Sequence, residues 1–140
     1  MDLGTLDTVG ACNGGAEIEL LHPVTQKPLG VFITVLGKDS DVFREHLRET
    51  IDDDIRRAAM AKKRGKQEEI MTVAKSDERG LELLVLCTQS WRTGDEAVIS
   101  FKGENLTCTV ANVKKLYEGL PWIRKQVDEA IGDLENFLKA

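Results

Sequence analysis

Residues 40–65 constrain the fold more than any other stretch. Phe43, Leu47, Ile51 and Ile55 recur every four residues, and Val42, Ala58 and Ala59 widen the stripe. That spacing predicts one long amphipathic helix of about six turns. Ser40 suits the N-cap, and Asp41 puts negative charge in the first turn. Arg56, Arg57, Lys62, Lys63 and Arg64 crowd the C-terminal end, and Gly65 suits the C′ position. Start signal, stop signal and helix dipole therefore agree. The polar face also carries an acidic triplet, Asp52, Asp53 and Asp54, at mid-helix.

Upstream, Ile18, Leu20 and His22 alternate with Glu17, Glu19 and Leu21, while over residues 30–36 Val31, Ile33 and Val35 share one face and Phe32, Thr34 and Leu36 the other; this period-2 spacing, rich in β-branched residues, predicts strands. Pro23 and Pro28 lie in the connector, so the two runs form a hairpin with a medium-length loop. Residues 1–15 hold four glycines and little periodicity and read as a flexible arm. Downstream, residues 66–75 predict a short helix. Ser76, Asp77 and Glu78 predict a new helix start, leading into a central buried helix through residues 81–91 with Trp91 near its end. A short hairpin follows over residues 98–109, turning at 102–105. Thr109 then caps a helix over 110–118. Pro121 opens a last helix whose stripe runs through Ile123, Val127, Ile131, Leu134 and Leu138, interrupted by Gly132.

The expected fold class is therefore α+β and predominantly helical. It comprises an N-terminal β-hairpin, a long amphipathic helix, a buried central helix, a short hairpin and two C-terminal helices. One globular domain over 16–140 follows from the length of 140 residues and from a composition 41% hydrophobic and 31% charged.

Several function classes lose support at this stage. A net charge of −5 argues against nucleic acid as the main partner. The longest apolar stretches, 31–36 and 83–87, fall far short of the ~20 residues of a membrane span, and the N-terminus has no basic start or apolar run of a signal peptide. Cys12, Cys87 and Cys108 are widely spaced and odd in number, which favours reduced thiols. His22 and His46 have no second His or Cys one helical turn away, so no metal site is expected. Cys87 and Cys108 lie in apolar runs without a nearby base, and no phosphate-binding or nucleophile-elbow motif is present. No enzyme activity and no cofactor are expected. On a helix the three aspartates splay across roughly 200° and do not converge on a cation. The basic cluster complements the dipole of its own helix end. What remains is a surface-interaction protein whose long helix, acidic in the middle and basic at the end, suits head-to-tail self-association.

The C-terminal third adds an ordered set of residues. Trp91 is followed by a strand with Phe101, then by the run from Ala111 and Asn112 to Tyr117. Pro121, Trp122 and Ile123 come next, with Asn136, Phe137 and Leu138 closing the series. With Ile18, Glu19, Leu20, His22 and Pro23 in the first hairpin and Asp39, Ser40 and Phe43 at the helix start, this order resembles the tail assembly chaperones of long-tailed, lambda-like bacteriophages over residues 17–138. The chain departs from that pattern at Ala111, where the family often has an acidic residue, and in the turn at 102–105.

The resemblance implies a protein made in the cytoplasm of the infected bacterial host and absent from the mature virion. Its partners would be itself, as a ring or spiral homo-oligomer, and the tape measure protein, which it keeps soluble until the tail tube polymerises. The major tail tube protein and a longer frameshifted form of the chain are further implied partners. An end just after Asn136, Phe137 and Leu138 fits the shorter form. The competing class is a structural virion protein, a head–tail connector or minor tail subunit. Interface candidates are Asp52, Asp53, Asp54, Arg56, Arg57, Lys62, Lys63 and Arg64 on the helix. Trp91, Phe101, Tyr117, Trp122 and Phe137 are candidates for core or interface anchors.

Overall fold

The structure is a computed structural model and describes residues 2–63 and 73–138. Its first departure from expectation is the glycine-rich N-terminus. Asp2 caps a 3-10 turn at Leu3–Leu6, and Asp7 accepts a hydrogen bond from the Gly10 amide at 3.0 Å to open helix α1 (Thr8–Gly14). Aspartate capping supplies the helix start that apolar periodicity did not signal. Cys12 in α1 is completely buried. Its carbonyl accepts from the Gly15 and Gly37 amides, both at 3.3 Å. A Cβ on Gly37 would collide with the Cys12 side chain, so glycine there permits the close approach of α1.

The predicted hairpin is present as β1 (Ala16–Leu21) and β2 (Pro28–Val35), antiparallel, with Ile18 opposite Ile33. The imidazole Nδ1 of His22 organises the connecting loop by accepting from the Val24 and Thr25 amides, each at 3.1 Å. The long helix is α2 (Asp41–Lys63), and α3 spans Val73–Cys87. The expected helix over 66–75 lies mostly outside the described residues, as do Arg64 and Gly65. Helix α3 runs through Ser76 without a break, so Ser76 is not a cap.

The expected helix over 81–91 is corrected at its C-terminal half. Residues Thr88–Thr93 form β3, which pairs with β2 and sets Trp91 opposite Ile33. The open edge of β2 provides backbone partners that outweigh a local helical reading of an apolar run. The order of this sheet is β1-β2-β3. Ile33, Val35 and Trp91 are buried within the core. On the opposite face Arg92 lies 4.0 Å from the centre of the Phe32 ring and forms two hydrogen bonds, 2.7 and 3.0 Å, with Glu17.

The second hairpin joins β4 (Val98–Phe101) to β5 (Glu104–Thr107). Its turn is two residues, Lys102 and Gly103, with φ of 49° and 80°, not the four residues expected. Two positive φ values match the twist of paired strands, and Gly103 adopts its value without strain. The Trp91 indole N–H donates to the Leu106 carbonyl at 2.9 Å and ties this hairpin to the three-stranded sheet.

Thr109 caps α4 (Val110–Gly119) as predicted, accepting from the Asn112 amide at 3.2 Å. Pro121 opens α5 (Pro121–Gly132). The last helix stops at Gly132, short of Leu138. Asp133 caps a 3-10 turn at Leu134–Asn136, and the Asn136 side-chain Nδ2 donates back to the Ala130 carbonyl at 3.1 Å. That carbonyl also accepts from the Asp133 backbone amide at 3.3 Å, so capping chemistry at the helix end prevails over the apolar stripe at Leu134 and Leu138. The described residues thus form an α+β, mostly helical fold with two antiparallel sheets. Leu84, Leu116, Val127 and Ile131 from α3, α4 and α5 complete its core.

Candidate functional site

Helix α2 is anchored at its N-terminus. Buried Ser40 accepts from the Phe43 amide at 3.2 Å, the predicted N-cap. Asn13 of α1 adds a second clamp. Its carbonyl oxygen accepts from the Asp41 amide at 2.8 Å, and its amide donates to the Asp41 carboxylate at 3.0 Å. Nothing in the spacing of Asn13 and Asp41 announced this contact, because α1 itself was not anticipated.

Beyond that anchor, α2 contributes no fully buried residue. Phe43, His46, Thr50, Asp54 and Ala58 are half-buried and form its inner line. The expected apolar stripe is displaced from that line. Leu47, Ile51 and Ile55 are 47%, 50% and 63% exposed. The prediction of the helix holds, whereas burial of this row against the chain's own core does not. Each member lies one position after a half-buried residue, so the row is rotated by about 100° from the inner face.

The acidic triplet divides as helical geometry requires. Asp54 points to α3 and forms two hydrogen bonds with the Arg79 guanidinium, 2.7 and 2.8 Å. Arg79 holds the Asp54 carboxyl below the usual carboxylate range. Asp52 and Asp53 remain exposed. Arg56 approaches Asp53 only at 3.8 Å, and both side chains are well solvated. Arg57, Lys62 and Lys63 are exposed, and Arg64 lies outside the described residues. The bases and Asp52 and Asp53 therefore share one helix, while Asp54 belongs to an intramolecular pair that sequence spacing did not reveal.

The aromatic candidates separate differently. Trp91, Phe101 and Tyr117 are buried core residues, whereas Trp122 and Phe137 are half-buried and packed against the core. Thr88 gives its one hydroxyl proton to the Leu84 carbonyl at 2.8 Å, so the 2.6 Å contact between Thr88 and Tyr117 has Tyr117 as donor. Burial pushes the Tyr117 hydroxyl up and keeps it protonated.

Nucleophile chemistry finds little purchase in the described residues. Burial pushes the Cys87 thiol up to about 11 and raises that of Cys108, the opposite of the depressed pKa an attacking thiolate needs. Among the described residues no three His, Cys, Asp or Glu side chains gather in a group able to hold a metal. An open depression of about 540 Å³ lies between α3 and the start of α5 and is lined by Asp77, Lys114, Tyr117 and Arg124 among others. Arg124 is already engaged there, 3.0 Å from the Asp77 carboxylate and 2.8 Å from the Asp77 carbonyl. Among the described residues no helix is long and apolar enough to cross a membrane. The surface of α2 is thus the feature with most capacity for recognition.

Comparison with known proteins adds no relative: no family model, no curated protein and no solved structure matches the chain.

Proposed function

We propose that this protein is a non-enzymatic tail assembly chaperone of a long-tailed bacteriophage, acting in the host cytoplasm on the tape measure protein. The observation that carries the reading is the solvent-facing row Leu47, Ile51 and Ile55 on an acidic chain. A tape measure protein would be long, helical and apolar in places, and exposed apolar surface of that kind aggregates unless covered. A small domain that offers an apolar row and adds negative charge covers such surface and keeps it dispersed. Release needs no nucleotide, because growing tube contacts displace the chaperone by competition. The ordered residues from Trp91 to Phe137 support the same reading by resemblance.

Self-association belongs to this proposal. Asp52 and Asp53 are the acids of the triplet free to meet a neighbouring copy, since Asp54 is held by Arg79. Charge reversal at Asp52 and Asp53 is expected to reduce oligomer mass in light scattering while leaving the melting temperature nearly unchanged. Unchanged oligomer mass removes that face from the interface.

The function is tested by coexpressing the chain with a tape measure protein from the same genome. The expected result is a soluble complex, with the tape measure protein insoluble when expressed alone. Mass spectrometry of purified virions is expected to find the tape measure protein and not this chain. Retention of the chain in virions would assign it instead to the structural subunits.

A further inference from the structure

The outer face of α2 carries both signs of charge around its apolar row. Asp41, Arg44, Arg48, Asp52 and Lys62 are exposed, as are Leu47, Ile51 and Ile55. Helical rotation sets Arg44 and Lys62 in line with the row and Asp41, Arg48 and Asp52 along one flank of it. Asp54 lies on the other flank, where it turns to Arg79 of α3. The charged flank is therefore the open one.

This pattern discriminates between ways of covering the row with a second α2. Parallel pairing sets Arg44 on Arg44, Arg48 on Arg48 and Asp52 on Asp52, so every charge meets its like. Antiparallel pairing centred on Ile51 sets Ile51 on Ile51 and Leu47 on Ile55, so the whole row covers itself. A two-fold axis at that centre also brings the charged flank of one helix against the same flank of the other. Arg48 then lies within about 3 Å of axial rise of the copy's Asp52, and Asp41 within about 1.5 Å of the copy's Lys62. Glu45, further round and also exposed, comes within about 1.5 Å of rise of the copy's Arg56. Symmetry repeats each pair. Next to the axis, each Asp52 sits between the Arg48 of its own chain and that of the copy. Arg44 is level with the copy's Ala58, and Asp41 lies between it and the copy's Lys62. Asn13 holds one oxygen of the Asp41 carboxylate, and a carboxylate accepts at both.

We infer that a second copy of this chain covers Leu47, Ile51 and Ile55, with the two α2 helices antiparallel about a two-fold axis at Ile51. The apolar row supplies the attraction, and the flanking charges fix the orientation. A contact of this isologous kind closes at two copies. The dimer stands on α2 alone. Its role rests on the proposed chaperone function: the copies shield each other's row until a tape measure protein competes for it.

Sedimentation velocity over a concentration series tests the dimer, with an expected Kd of about 10–100 µM for three apolar side chains from each copy. Arg48→Asp alone and Asp52→Arg alone each gather four like charges at the axis, and each is expected to weaken dimerisation about tenfold. An equimolar mixture of the two variants restores alternating charge and is expected to give a heterodimer of wild-type strength. Orientation is read by oxidative crosslinking. Leu47→Cys and Ile55→Cys chains are expected to join when mixed, while either alone stays at the background set by wild type. A chain still monomeric at about 1 mM, a mixture no stronger than its components, or crosslinking of Leu47→Cys to itself overturns the inference. A dimer of this geometry in a chain that leaves tape measure protein insoluble retains the contact and removes the chaperone function. Solubilisation by a chain that stays monomeric does the reverse.

Discussion

Helices α2 and α5 carry the same kind of apolar spacing and meet opposite fates. In α5, Ile123, Val127 and Ile131 are 3%, 0% and 1% exposed, whereas Leu47, Ile51 and Ile55 of α2 are each about half exposed or more. Periodicity reports that a helix has an apolar side, and topology decides whether the chain itself covers that side. Helix α5 lies against the sheet and α3, and Gln126 locks it there. The Gln126 amide donates to the Leu21 carbonyl at 2.8 Å and its oxygen accepts from the Leu21 amide at 2.9 Å, as a neighbouring strand would. Among the described residues, helix α2 has no such lock beyond its first turn and the Asp54–Arg79 pair.

Substitutions on the two helices test that contrast. Ile131→Ala is expected to cost about 2–5 kcal/mol in urea unfolding, because a fully buried side chain leaves a cavity. Gln126→Ala follows at about 1–3 kcal/mol, since two backbone groups of Leu21 lose their partners at a part-buried position. Ile51→Ala is expected to change stability by no more than about 0.5 kcal/mol, as for other solvent-facing sites. A loss at Ile51 equal to that at Ile131 would erase the distinction between the helices.

Asp54→Asn probes the remaining tie of α2 and gives the smallest effect. Arg79 lowers the folded-state pKa of Asp54, so the carboxylate binds its proton less readily in the folded chain than in the unfolded one. Its contribution is therefore present above the unfolded pKa and is lost as pH falls through the lowered folded value. The stability difference between wild type and Asp54→Asn is expected at neutral pH and to vanish at the acid end of a pH series. A difference independent of pH would mean that Asp54 acts by packing and not by charge.

Much of the local structure was legible in the residue order. The strand alternation at β1 and β2, the caps at Ser40 and Thr109, and Pro121 at the start of α5 are rules of one or two turns, and each holds in the structure. Two of the errors fall where a distant partner outcompetes a local preference. Residues Thr88–Thr93 follow an apolar helical run yet become strand, because β2 presents an unpaired edge. The glycines near the N-terminus read as slack, yet α1 packs because Gly37 leaves room for Cys12. The candidate surface was half legible: the charges of α2 and its apolar spacing stand in the sequence, but the exposure of that spacing does not.

Residue order alone settled the helix starts at Ser40, Thr109 and Pro121, where a capping side chain or a proline acts on neighbours a few bonds away. Which apolar faces meet, that Asp54 turns inward to Arg79 while Asp52 and Asp53 stay in water, and that one side of α2 is left uncovered required the assembled chain. Burial depends on surfaces far apart in sequence competing for one core, and no window along a single helix contains that competition.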